Sequence, residues 1–247
     1  MWDDDRQMNA LAATLAVLAS LSLVATLVAY AVRQPAFAFR EVVVTGPLNR
    51  TSGAYLEAVI REELTGTFFT MDLARSRAAL ARVPWVRDVA LRRQWPHRLE
   101  VTVEEHEPLA RFNDGQFIDV QGEVFQAESQ DDLPQFEGPE SRAAEMTERY
   151  RDFSDALQPL SMRLSELDLS PRGGWRIKAA GADGPLTIEL GREEPDARLA
   201  RFVAAYRQTL GALARAGTKV EIVDLRYRNG FAARVPAFRE KNVKPAA

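Results

Sequence analysis

His97 and His106 are the only histidines in 247 residues, and cysteine is absent. A Ser-His-Asp triad or an imidazole-ligated metal would have to use one of these two. The lack of thiols excludes disulfide frameworks, thiolate zinc sites, iron–sulfur clusters and cysteine nucleophiles. His97 stands in a turn after Trp95-Pro96, and His106 ends a strand-like run among Glu104, Glu105 and Glu107. A carboxylate beside His106 would suit acid–base chemistry. A solvated strand terminus accounts for the same residues and is the reading adopted. No serine sits in a nucleophile elbow, and no glycine-rich loop opens a helix. Gly173-Gly174 precedes strand-like Trp175-Arg176-Ile177 and reads as a turn. Asp3–Asp5 and Asp131-Asp132 lack the spacing of a calcium loop and read as solvated tail and loop. The inventory points to a protein without enzymatic chemistry, metal or cofactor.

The elements that position these residues follow from composition and period. The chain is 46% apolar and 27% charged, so disorder along its whole length is excluded. A net charge of −3 supplies no global basic field for nucleic acid. Residues 10–32 carry no charge. As a helix they reach about 35 Å, enough for a hydrocarbon core of about 30 Å. A cleaved signal peptide is the competing reading, with Ala29-Tyr30-Ala31 as its cleavage site. The run is longer than an h-region of about 7–15 residues, and its flank is acidic, so an uncleaved single span is expected. Arg6 on one side and Arg33 and Arg40 on the other leave orientation close to a tie.

A β-α-α-β-β order is expected from Phe39 to His106. Phe39–Thr45 reads as a strand closed by Gly46-Pro47. Thr51 or Ser52 caps a helix with Leu56, Val59, Ile60 and Leu64 on one face, and Asp72 caps a second. Phe68-Phe69 between the helices reads as core. Val86–Arg93 and Leu99–His106 form a hairpin. Pairing Leu91 with Val101 puts Val89 opposite Val103 and Arg92 opposite Glu100, with apolar residues on one face and an ion pair on the other. Arg92, Arg93 and Arg98 read as ion-paired with Glu100 and its neighbours. Contact with anionic lipid or a partner is the alternative.

Beyond Leu109, short strands are expected around Arg111-Phe112, Gln116–Val120 and Glu123–Ala127. A helix follows from Pro139 to about Leu157, then strands at Arg163–Leu169, Trp175–Ala179 and Leu186–Leu190. A long helix runs from Pro195 to Gly217. Val220–Tyr227 and Phe231–Val235 form a final hairpin through Asn229-Gly230. Pro236 ends the pairing. The last strand is therefore expected at an open sheet edge, which invites strand addition by another chain. Tyr227 and Phe231 can anchor a partner, and Arg226 can hold its carboxylate. Ordinary sheet packing is the alternative for both aromatics.

The ordered runs Val83-Pro84-Trp85-Val86-Arg87, Arg92-Arg93-Gln94-Trp95-Pro96, Leu99 to Pro108 (LEVTVEEHEP), Leu199-Ala-Arg-Phe202 and Val223-Asp224-Leu225-Arg226-Tyr227 with Gly230 resemble the FtsQ/DivIB family of bacterial division proteins. The resemblance covers roughly residues 10–236. It implies an α+β chain: a cytoplasmic tail over 1–9, a transmembrane helix over 10–32, a POTRA domain over 39–107, a C-terminal mixed-sheet β domain with two helices over 108–236, and a flexible tail over 237–247. It further implies a single-pass type II protein of the inner membrane at the division septum, with its bulk periplasmic. Such a protein is a non-enzymatic scaffold for FtsB and FtsL, with FtsK, FtsW and FtsI as further contacts and no nucleic-acid or small-molecule substrate. The positions matching the family's FtsB-receiving edge are Arg226, Tyr227, Asn229 and Gly230, with Arg172 three residues before Trp175. Ala233 and Arg234 depart from the family pattern. The alternative is a polypeptide-binding or chaperone POTRA protein of envelope assembly, which would normally carry several POTRA units and a barrel.

Overall fold

The computed structural model describes residues 5–216, 218–228 and 230–235. The chain divides into two compact units, residues 1–105 and 106–247.

The first unit begins with helix α1 (Asp5–Val32). Its stretch Met8–Val32 is the one described helix long and apolar enough to cross a membrane. β1 (Glu41–Thr45), α2 (Gly53–Glu63), α3 (Leu73–Leu80), β2 (Val86–Gln94) and β3 (Arg98–Glu105) follow in the expected β-α-α-β-β order. The caps are those the residue types demand. Ser52 Oγ accepts from the Tyr55 N–H, and Asp72 Oδ1 accepts from Ala74 and Arg75 N–H at 3.0 Å each. β3 is central, parallel to β1 and antiparallel to β2. The register is the expected one, with Leu91 opposite Val101, Val89 opposite Val103 and Arg92 opposite Glu100. Leu99, Val101 and Val103 pack against Leu56, Ile60 and Leu80. Gly46, at φ +122°, passes so close to β3 that a Cβ there would lie 2.1 Å from the Val103 carbonyl oxygen.

Two expectations for this unit are corrected. Glu100 takes its hydrogen bond from Gln94 Nε2 at 2.8 Å, on the same strand as Arg92. Phe68 and Phe69 stand outside the core: Phe68 is half-buried and Phe69 is 48% exposed.

The second unit is a nine-stranded mixed sheet among the described residues, with helices on one face. Its elements are β4 (Pro108–Phe112), β5 (Gln116–Asp119), β6 (Val124–Gln126), β7 (Gln135–Glu137), α4 (Ala143–Leu157), β8 (Arg163–Leu169), β9 (Trp175–Gly181), β10 (Gly184–Gly191), α5 (Pro195–Tyr206), α6 (Leu210–Arg215), β11 (Ile222–Asp224) and β12 (Ala232–Arg234). The spatial order is β12-β11-β10-β9-β8-β7-β4-β5-β6. Period-2 alternation sends Leu186, Ile188 and Leu190 into the core, where they meet Leu199 and Phe202 of α5. The same alternation places Thr187 and Glu189 on the opposite face.

Three features differ from expectation. β7 is an additional strand, joined in parallel to β4 and β8. The single helix from Pro195 breaks after Tyr206 and restarts at Leu210, so this unit has three α-helices rather than two. At the break Thr209 lies outside the helical region (φ −110°, ψ −95°) and its Oγ1 bonds the Ala205 carbonyl at 2.8 Å. The final strand pair joins Asp224 to Ala232, leaving residues 225–231 as a connection longer than a two-residue turn. Asn229, Gly217 and the tail 236–247 lie outside the described residues, as do Asp3 and Asp4.

Candidate partner-binding edge

β12 is the outermost strand at one end of the nine-stranded sheet. Its orientation follows from the hydrogen bonds of its neighbour. The Glu221 carbonyl accepts from Thr187 N–H, and Leu225 N–H donates to Glu189 O, at 2.9 Å each. Odd-numbered residues of β11 therefore point their backbone groups at β10, and Ile222 and Asp224 point theirs at β12. Their partners Arg234 and Ala232 are turned inward. Ala233, between them, directs its N–H and C=O outward, where no described strand receives them.

The connection into β12 is held from below by α5. Arg201 Nη1 donates to the Arg228 carbonyl at 2.7 Å, and the Phe231 ring meets Phe202 edge-on at 5.9 Å. Phe231 is thus partly buried against the core, and its ring is committed to packing rather than offered outward. Tyr227 is 58% exposed. Gly230 is exposed, with open space around its Cα.

Arg226 is already engaged. Its Nε and Nη2 reach Asp224 Oδ1 and Oδ2 at 2.9 and 2.6 Å, and its backbone N–H also bonds Oδ1 at 2.9 Å. This hydrogen bonding holds the Asp224 carboxyl below its usual range against the opposing effect of burial, and raises Arg226 further. The pair ends β11: the Asp224 side chain captures the backbone two residues on and turns the chain out of the strand. Arg226 therefore presents the flank of a bidentate ion pair to a newcomer rather than an unengaged fork.

Arg172 lies in the Ser170–Gly174 turn, closed by Gly173 N–H to Ser170 O at 2.8 Å. It is exposed and faces the same concavity of about 340 Å³ as Arg226. Arg192 and Arg198 complete this cationic rim, and Arg198 Nη1 is bonded to the Leu190 carbonyl at 2.7 Å. Sequence reasoning missed Arg192, in the bend after β10, and Arg198 and Arg201 on α5, since nothing in their surroundings along the chain announces a contact with a distant turn.

A larger cavity of about 870 Å³ lies on the helix-free face of the sheet. A row of cross-strand neighbours crosses it: Glu137, Asp168, Arg176, Glu189. Asp168 is pushed above the usual carboxylate range by burial, with Glu137, Glu166 and Glu189 adding to the effect and Arg176 opposing it.

His106 is not the solvated strand end that the sequence suggests. Its Nδ1 lies 2.7 Å from Asp119 Oδ2, and its ring stacks on Phe125 at 4.1 Å. Glu123 brings a third ligand-type oxygen within 4.8 Å of both. Asp119 Oδ1 already accepts the backbone N–H groups of Gln121 and Glu123 at 3.0 and 2.8 Å. The cluster therefore reads as a hydrogen-bonded lock on the β5–β6 turn. Its one signal in the sequence was Asp119 before the Gln121-Gly122 turn.

An apolar helix, a β-α-α-β-β unit and a mixed sheet whose last described strand lies at its edge define a POTRA-type protein with one candidate membrane span. The POTRA domain model of FtsQ type matches residues 37–106, and the model of the cell division protein FtsQ/DivIB C-terminal domain matches residues 110–226. Relatives described as cell division protein FtsQ include one from Burkholderia pseudomallei, 39% identical over 97% of this chain and 96% of its own. Others are from Nitrosospira multiformis, 36% identical over 95% of this chain and 99% of its own, and Bordetella pertussis, 36% identical over 94% and 92%. The chain belongs to the FtsQ/DivIB family of cell division proteins.

Proposed function

We propose that this chain is a non-enzymatic scaffold of the divisome that receives FtsB, and with it FtsL, by strand addition at the outer edge of β12. In this reading α1 crosses the inner membrane with its N-terminus cytoplasmic. Both later units are periplasmic and gather at the septum, where FtsK, FtsW and FtsI are further contacts. The observation that carries the reading is Ala233, whose N–H and C=O face outward on β12; Tyr227, in the connection that leads into this strand, is exposed. A peptide strand laid there gains main-chain hydrogen bonds whatever its side chains, so departures from the family pattern at Ala233 and Arg234 are tolerated. Tyr227 supplies an aromatic anchor, and Gly230 leaves room for close backbone approach. Arg172 supplies a cation for an acidic residue of the newcomer. Asn229 belongs to the same proposed edge.

The test is a binding titration of the full-length chain in detergent micelles with the periplasmic segment of FtsB. Ala233→Pro deletes the outward N–H and should abolish measurable binding while the thermal melt stays near that of the parent. Undiminished binding by a folded Ala233→Pro chain would remove strand addition at β12 from consideration.

A further inference from the structure

The first unit carries an exposed aromatic cluster that the core does not use. Phe68 and Phe69 follow α2 in sequence, Trp95 stands at the tip of the β2–β3 hairpin, and Phe37 lies in the turn after α1. Ring centroids are 5.2 Å apart for Phe37 and Phe69, 5.3 Å for Phe68 and Phe69, and 5.4 Å for Phe68 and Trp95. Trp95 is 67% and Phe69 48% exposed. Aromatics of this size gathered outward on a folded unit mark a surface that is covered in use.

The backbone fixes where this cluster sits. Thr67 Oγ1 donates to the carbonyl of Val32, the last residue of α1, at 2.7 Å. Phe68 N–H donates to Phe37 O at 2.8 Å, and Arg40 N–H donates to His97 O at 2.9 Å. The Phe68-Phe69 segment and the Trp95 hairpin tip are thereby tied to the point where the chain leaves the apolar helix. If α1 spans a bilayer, that point is the membrane–water boundary, the depth at which Trp rings prefer to lie.

The charges agree. Arg93 reaches the Met71 carbonyl and Arg98 pairs with Glu41, so these two belong to the fold. Arg33 and Arg40 beside the helix end, and Arg92 on the strand leading to Trp95, are exposed. Long cationic side chains at this depth reach headgroup phosphates while their stems lie along apolar surface.

We propose that Phe37, Phe68, Phe69 and Trp95 form an interfacial patch that seats the POTRA unit on the bilayer its own anchor crosses, with Arg33, Arg40 and Arg92 on anionic headgroups. The patch makes the anchor and the unit a single oriented body rather than a domain swinging on a linker. This inference rests on reading α1 as membrane-spanning, and its test separates the two. The cysteine-free chain accepts single labels without background. Nitroxides are placed at Phe69→Cys, Trp95→Cys, Tyr55→Cys and Leu21→Cys in the full-length chain, reconstituted in vesicles of phosphatidylethanolamine and phosphatidylglycerol. Collision with oxygen and with a water-soluble nickel chelate is then measured. Tyr55, exposed on α2, reports water, and Leu21 reports the anchor. The oxygen-to-nickel ratio at 69 and 95 should exceed that at 55 several-fold and fall short of that at 21. Ratios at 69 and 95 equal to that at 55, with a lipid value at 21, would overturn the patch and leave the anchor standing. A water value at 21 removes the anchor and the patch together. Shielding of 69 and 95 from both reagents means cover by protein, and also overturns the proposal.

Discussion

His106 Nδ1 and Asp119 Oδ2 lie 2.7 Å apart, the carboxylate fully buried and the imidazole nearly so. The tautomer that carries its proton on Nδ1 donates to this carboxylate oxygen. With Gln121 and Glu123 N–H on its other oxygen, Asp119 ties the first residue of the second unit to the β5–β6 turn.

Asp119→Ala leaves an imidazole N–H and two backbone N–H groups without an acceptor where water cannot reach the carboxylate's place. A loss on the order of 3 kcal/mol is expected. Hydrogen exchange should show it as lost protection over residues 116–126, with β1–β3 unchanged. Asp119→Asn keeps an oxygen for the two backbone donors and should lose roughly half as much. Equal losses from the two variants would mean that the bonds from the Gln121 and Glu123 N–H groups are not what holds the site.

The β2–β3 register predicts a contrast between adjacent residues. Val101 is 0% exposed and faces Leu91. Val101→Asp should destabilise the POTRA unit by about 3–5 kcal/mol, the cost of an unpaired charge in the core. Glu100, half-buried and bonded to Gln94, should lose no more than about 1 kcal/mol on replacement by Ala. Denaturant unfolding of the two variants decides between them.

At the sheet edge, Tyr227→Ala should weaken FtsB binding by more than about 1 kcal/mol, roughly fivefold in Kd, with an unchanged melt. Phe231→Ala should behave differently, because its ring packs on Phe202. Its main effect is a lower melting temperature of the second unit. Unchanged affinity in Tyr227→Ala would move the partner surface away from this connection.

Glu105 carries an acid-dependent contribution to stability. Burial alone would raise its carboxyl, but the adjoining Thr51 and hydrogen bonds from the backbone N–H groups of Asn49, Thr51 and Arg50 outweigh burial and hold it below the usual glutamate range. A carboxyl lowered on folding stabilises fully above its unfolded value. That contribution is lost as pH falls through the folded value. Melting temperature should therefore drop on acidification below the ordinary glutamate range, and Glu105→Gln should flatten that limb of the profile. A parallel drop in parent and variant would assign the acid limb to other carboxylates.

Local rules were enough for much of the fold. Alternation in Val86–Gln94 and Arg98–Glu105 admits one register that buries Val89, Val101 and Val103 and packs Leu91 against them, and Ser52 and Asp72 announce their helices by their own side-chain oxygens. That the last described strand lies at a sheet edge was legible too, because a proline after it cannot continue a ladder. What pairing across the sheet decides was not legible. β7 is three residues long and exists only because β4 and β8 flank it. Its period is too short to register along the chain. The fate of each candidate site residue was likewise a matter of what the fold brought alongside. Asp224, two residues away, occupies Arg226; Phe202, on another element, claims Phe231; Asp119, thirteen residues on, buries His106. Residue type states what a side chain can bond or pack, and the sheet and its covering helices decide which of those partners reaches it first.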